Sequence, residues 1–106
     1  MLPEAFLERM KRQLGDEYES YLDSLNRSRA VALRFNPLKG EIPQLPFVGQ
    51  LVPWEPMGYY YDPDARPGLH VFHEAGVYYL QEASAMAPVA LLDPQPGERV
   101  CDLCAA

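Results

Sequence analysis

Apolar positions recur at two different periods along this chain. Phe6, Met10 and Leu14 fall four residues apart with Leu7 beside them, so residues 3–14 predict a helix with one apolar face. Pro3 suits its first turn and Gly15 its stop. Tyr18, Tyr21, Leu22 and Leu25 repeat that spacing in a second helix. Asp16 would cap it, Glu19 would complete a capping box, and Asn26 would end it. Both apolar stripes are expected to face a core. From Val31 the period drops to two. Val31, Leu33 and Phe35 alternate with Ala32, Arg34 and Asn36, which predicts a strand with one buried face and Arg34 and Asn36 together on the other.

Five prolines in residues 37–56 exclude long regular elements there. Gln50 to Trp54 and Gly58 to Tyr61 read as short strands, and Trp54, Tyr59, Tyr60 and Tyr61 as packing aromatics or base-stacking ones. Asp62 to Gly68, with two prolines, a glycine and three charges, is a turn-rich connector and the candidate domain boundary. Beyond it Gly76 to Gln81 is β-prone, and Ala83 to Leu92 is helical in period although Pro88 interrupts it. Asp93 to Glu98 reads as a tight turn and Arg99 to Cys104 as a strand. Helix, turn and apolar strand in that order open an α/β layered domain. Its first strand would need a partner, so the chain reads as the front part of a longer protein.

A chain of 106 residues can bury a modest core. With 48% hydrophobic and 23% charged residues, wholesale disorder is excluded. The uncharged stretch Ala83–Leu92 is too short to span a bilayer, no membrane partner is expected, and the charged N-terminus lacks a signal-peptide core. Two cysteines make no disulfide framework, which points to the cytoplasm. The net charge of −6 argues against a simple cationic nucleic-acid binder, but the charge is uneven. Residues 57–106 hold 2 basic against 7 acidic residues, whereas Arg27, Arg29, Arg34 and Lys39 follow one another with no acid between them. A cationic face is compatible with that stretch.

Three motifs, in order, carry a family resemblance. They are Arg34-Phe35-Asn36-Pro37-Leu38-Lys39, then Gly76 to Met86 with Tyr78-Tyr79-Leu80-Gln81-Glu82-Ala83-Ser84 at its centre, then a turn ending Gly97-Glu98 followed by Asp102-Leu103-Cys104-Ala105-Ala106. Together they resemble the RNA (cytosine-5) methyltransferases of the Sun/Fmu type, in the bacterial ribosomal-RNA branch. The resemblance implies an α+β, partly RNA-recognition-like RNA-binding region over residues 1–68. It implies the truncated start of an α/β Rossmann-like S-adenosylmethionine-dependent methyltransferase domain over 69–106. By the same resemblance Arg34, Asn36 and Lys39 face RNA, expected to be ribosomal, and Gln81, Glu82 and Ser84 lie near the active centre. Asp102, Cys104, Ala105 and Ala106 open the S-adenosylmethionine loop, which the family continues with proline, two glycines and lysine. The family's catalytic cysteines lie further downstream, and neither Cys101 nor Cys104 matches them. This stretch alone is therefore expected to bind the cofactor weakly or not at all and to be inactive.

Two other readings compete. His70 and His73, and Cys101 and Cys104, share a spacing that could supply four tetrahedral zinc ligands. No metal is expected, because residues three apart in a strand face opposite sides. A stand-alone RNA-binding or interaction module is the other, favoured by the tyrosines and weakened by the low count of basic residues.

Overall fold

A computed structural model describes residues 2–104. Its centre is β1 (Ala32–Phe35), whose alternating branched and aromatic side chains favour a strand flanked on both sides. On one side it pairs antiparallel with β3 (Gly58–Tyr61), Ala32 opposite Tyr60 and Arg34 opposite Gly58. On the other it pairs antiparallel with β4 (Tyr78–Leu80), Arg34 opposite Tyr79 and Phe35 opposite Tyr78. The strand β2 (Val48–Leu51) pairs with β3 through an irregular register, giving a four-stranded sheet in the order β2-β3-β1-β4. The α+β expectation therefore holds, with an antiparallel sheet. The connector 62–68 joins two strands of this one sheet, since β4 lies beyond it. The predicted strand at 50–54 sits two residues earlier, because Pro53 cannot donate to a ladder and Val52 turns back to donate to the Gly58 carbonyl.

Both faces of the sheet are covered. Leu33, Phe35 and Tyr78 are buried on one, packed with Phe47, Tyr59 and Phe72. Phe35 meets Tyr59 and Tyr78 edge-on, with ring centroids 5.6 and 5.9 Å away. The Tyr78 hydroxyl donates a 2.6 Å hydrogen bond to the Pro67 carbonyl. Ala32, Val52 and Met86 are buried on the other face. That second layer corrects the one-faced strand read from the alternation. Ala32 is small enough to let a helix lie over it, and Met86 of α4 (Ala83–Leu92) fills the space. Gly58 is part of the fit: a Cβ there would stand 2.6 Å from the Met86 sulfur. The helix α4 runs through Pro88, whose missing N–H leaves the Ser84 carbonyl without its helical donor.

The two N-terminal helices form as predicted, α1 (Glu4–Leu14) and α2 (Tyr18–Leu25), with Gly15 ending the first. Two details differ. The Asp16 cap is not made; Gly15–Glu17 tightens into a 3-10 turn and α2 starts at Tyr18 without a side-chain cap. Nor do the apolar stripes enter a core, for no residue of α1 or α2 is buried. The short helices cover each other only partly, and the exposed run 26–30 separates them from β1. The radius of gyration, 17.7 Å, exceeds the roughly 13 Å of a compact domain of this length, as helices standing off the sheet require. The predicted strand at 99–104 is absent among the described residues. A strand exists only against a neighbour, and this segment has none beside it; instead Asp102 Oδ1 accepts from the Cys104 amide.

Two stability experiments probe these packings. Met86→Ala should cost about 2–4 kcal/mol in urea unfolding, and Gly58→Ala about 1–3 kcal/mol. In the Met86→Ala background, Gly58→Ala should cost clearly less, whereas additive costs would place the sulfur elsewhere. Burial, with Tyr61 adding to it, raises the Tyr78 pKa above the usual 10.0. A raised folded pKa holds a proton that the unfolded chain releases, so this contribution is present below pH 10 and fades as pH rises further. Tyr78→Phe should remove that alkaline slope and lower stability near neutral pH by about 1 kcal/mol, through the lost bond to Pro67.

Candidate nucleic-acid interface

The antiparallel register sets Arg34 of β1 directly beside Tyr79 of β4, so their side chains share one face. Two residues on, the chain leaves β1 at Asn36, which caps the turn Pro37–Lys39 by accepting from the Leu38 amide at 3.1 Å. The Asn36 amide group reaches across to the Gly76 carbonyl at 3.3 Å. Gly76, at φ +70°, lies in the turn between α3 (Val71–Glu74) and β4, a conformation open to glycine and strained for most other residues. Asn36 thereby ties the exit of β1 to the entrance of β4. The Lys39 stem lies over the same glycine: its Cε would be 3.6 Å from a Cβ there.

These residues surround a cleft of about 460 Å³ at the sheet edge, with Arg34, Asn36, Gly76, His73 and Tyr79 in its lining. Of the sequence-predicted set, Arg34 and Asn36 share this cleft and Lys39 flanks it. His73 and Tyr79 are additions that the sequence did not single out as RNA-facing. The signal for Tyr79 is register alone. It alternates with buried Tyr78 and falls opposite Arg34, which no count along one strand reveals.

Arg34 also links to the second predicted set. Its Nε donates to Gln81 Oε1 at 3.0 Å, and Gln81 Nε2 contacts the Ala85 carbonyl at 3.5 Å. Gln81 thus joins the β1 face to the start of α4. Glu82 precedes that helix without capping it by its side chain. Glu82 and Ser84 line a separate hollow of about 350 Å³ with Trp54 and Tyr60, and Trp54 Nε1 donates to the Ala83 carbonyl at 2.7 Å. Asp102 and Cys104 form an exposed turn that shares no cleft with either set, and Ala105 and Ala106 lie outside the described residues.

The zinc alternative finds no support in these positions. His70 Nδ1 accepts from the Phe72 amide as the cap of α3. Cys101 and Cys104 are exposed free thiols, and no three His, Cys, Asp or Glu residues gather as a metal site among the described residues.

The family model for the N-terminal domain of 16S rRNA methyltransferase RsmF matches residues 2–83. The chain belongs to that family. It is 37% identical to the ribosomal RNA small subunit methyltransferase F of Cronobacter sakazakii, over 99% of this chain and 25% of that protein. It is 36% identical to the Klebsiella pneumoniae protein of that name and 33% to the one from Escherichia coli O157:H7, each over 98% of this chain and 25% of the relative. The chain spans about a quarter of the length of these relatives. The Sun/Fmu-type resemblance of the sequence agrees with this membership, and the match ends at Ala83, where α4 begins.

Asn36→Ala should be a folding variant before it is anything else. It removes both bonds that hold the cleft, so urea denaturation should show a loss of about 1–2 kcal/mol. Unchanged stability would mean that neither bond persists in solution.

Proposed function

We propose that this chain is the RNA-handling front part of an S-adenosylmethionine-dependent methyltransferase that forms 5-methylcytosine in ribosomal RNA. The observation that carries the reading is the family match over residues 2–83, joined to a cleft whose lining holds an arginine and no carboxylate. Arg34 and Lys39 meet RNA phosphates, and Asn36 holds the turn that presents them. A four-stranded antiparallel sheet is also the platform of RNA-recognition folds, although the central aromatics Phe35 and Tyr59 lie in the core here.

Residues 1–68 carry the RNA-binding region, and residues 69–106 lead into the Rossmann-like methyltransferase domain while lending β4 to the first region's sheet. Gln81, Glu82 and Ser84 lie between the two, with Gln81 tied to Arg34. Asp102, Cys104, Ala105 and Ala106 begin the cofactor loop. The described part suits that task in its chemistry: Asp102 is an exposed carboxylate with one oxygen in the turn and no hydrogen bond at the other among the described residues. The cofactor, when bound, supplies the methyl group. Asp102 would hold its cationic end, and the small residues would let the backbone approach.

Neither Cys101 nor Cys104 is assigned as nucleophile, so methyl transfer belongs to the longer protein and these 106 residues alone remain inactive. A cytoplasmic setting goes with the free thiols. Among the described residues no helix is long and apolar enough to cross a membrane.

Incubating the full-length protein with methyl-labelled S-adenosylmethionine and ribosomal RNA, then digesting the RNA to nucleosides, tests the reading. Label in 5-methylcytidine is expected; label in another nucleoside or on ribose would overturn it.

A further inference from the structure

We propose that the cleft between β1 and β4 is a subsite for one unpaired ribonucleotide, in which Tyr79 stacks on the base while Arg34, His73 and Lys39 hold its phosphate. The proposal rests on the RNA reading above and goes beyond it by naming two contacts, His73 and Tyr79, and the strandedness of the ligand.

The Tyr79 ring is 62% exposed on the edge strand, although its neighbour Tyr78 is buried in the core. An exposed aromatic beside an arginine on one sheet face is the arrangement that stacks a base and neutralises its backbone. Only one of the five Arg34 donors is engaged among the described residues, the Nε that meets Gln81. That bond fixes the guanidinium beside Tyr79 and leaves its outer edge free for a phosphate.

His73 forms the opposite wall. Its Nδ1 is buried without a hydrogen-bond partner, 4.0 Å from Glu74 Oε1. Its Nε2 makes no hydrogen bond among the described residues, so the ring has a free polar edge next to the cleft. The Glu74 side chain is 81% exposed and takes no part in the lining. Lys39 completes the rim with its stem over Gly76, where the missing Cβ leaves it room.

The volume of about 460 Å³ lies within the roughly 300–1,000 Å³ usual for small-ligand sites. A duplex would keep its bases stacked and offer no face to Tyr79, so the occupant is single-stranded.

Fluorescence anisotropy on the full-length protein, with a mixed-sequence single-stranded RNA 12-mer and its blunt duplex as probes, decides the matter. Tyr79→Leu should weaken single-strand binding about tenfold with an unchanged salt slope, and Tyr79→Phe should bind like the parent. His73→Gln should cost a few-fold. Arg34→Ala and Lys39→Ala should each lower the salt slope by about one. Melting curves of all variants would separate lost contacts from lost folding, and Tyr79→Phe keeps the test interpretable should Tyr79→Leu unfold. Full affinity in a folded Tyr79→Leu protein, or duplex bound as tightly as single strand, would overturn the subsite. If Arg34 and Lys39 still matter in that case, the RNA reading stands without it. No binding of either RNA by the parent would remove both.

Discussion

Everything in this domain depends on β1 being buried from two sides. A strand of four residues can organise a fold only if each of its side chains has something to pack on. Leu33 and Phe35 reach an aromatic core made by segments that come after the strand, and Ala32 reaches Met86 far along the chain. Each fully buried large side chain contributes about 1.5–3 kcal/mol. With so few buried residues, removing either layer would leave a sheet too thin to stand alone. The two-sided burial also forces Arg34 into a half-buried position between layers, where its guanidinium needs a partner and finds Gln81.

That bond couples the parts of the chain assigned to RNA and to the neighbourhood of the active centre. Arg34 belongs to the central strand and Gln81 to the link between β4 and α4. Because α4 is seated on the same sheet by Met86, the RNA-facing side of β1 and the start of the next domain share one rigid body of packing and hydrogen bonds. A segment that meets RNA can thus be held in fixed relation to the chemistry that follows it, without a flexible linker. The connector 62–68 brings β4 back to the same sheet instead of separating two units.

The elements legible in the sequence were those set by local spacing. Four-residue spacing marked α1 and α2, alternation marked β1 and β3, and Ala-rich composition marked α4. What failed was whatever depended on a distant partner. Ala32 reads as neutral in a period-two pattern, so the second core went unseen until Met86 arrived opposite it. Asp16 looks like a cap in isolation, but the tight turn after Gly15 carries the helix start past it. Residues 99–104 have strand composition and no neighbour to pair with. At the site, Arg34, Asn36 and Lys39 were found through a motif, whereas Tyr79 and His73 became visible only through the β1–β4 register and an unpartnered ring nitrogen.

The acidity of the chain does not contradict an RNA-facing surface, because screening makes charge a local matter. At physiological salt, exposed charges more than about 8 Å apart barely interact. The acidic excess lies mostly in residues 57–106, while the four consecutive cations from Arg27 to Lys39 flank or form the face of β1. A phosphate approaching Arg34 and Lys39 meets those two charges and no carboxylate in the cleft lining. Glu74 is the nearest exception, and its exposed side chain is solvated on the far side of His73. The net charge of −6 then discourages indiscriminate binding to polyanions, while the cleft retains attraction for a strand presented to it at close range. For a protein that must choose one RNA site among many, weak long-range attraction with strong short-range contact favours discrimination over speed of capture.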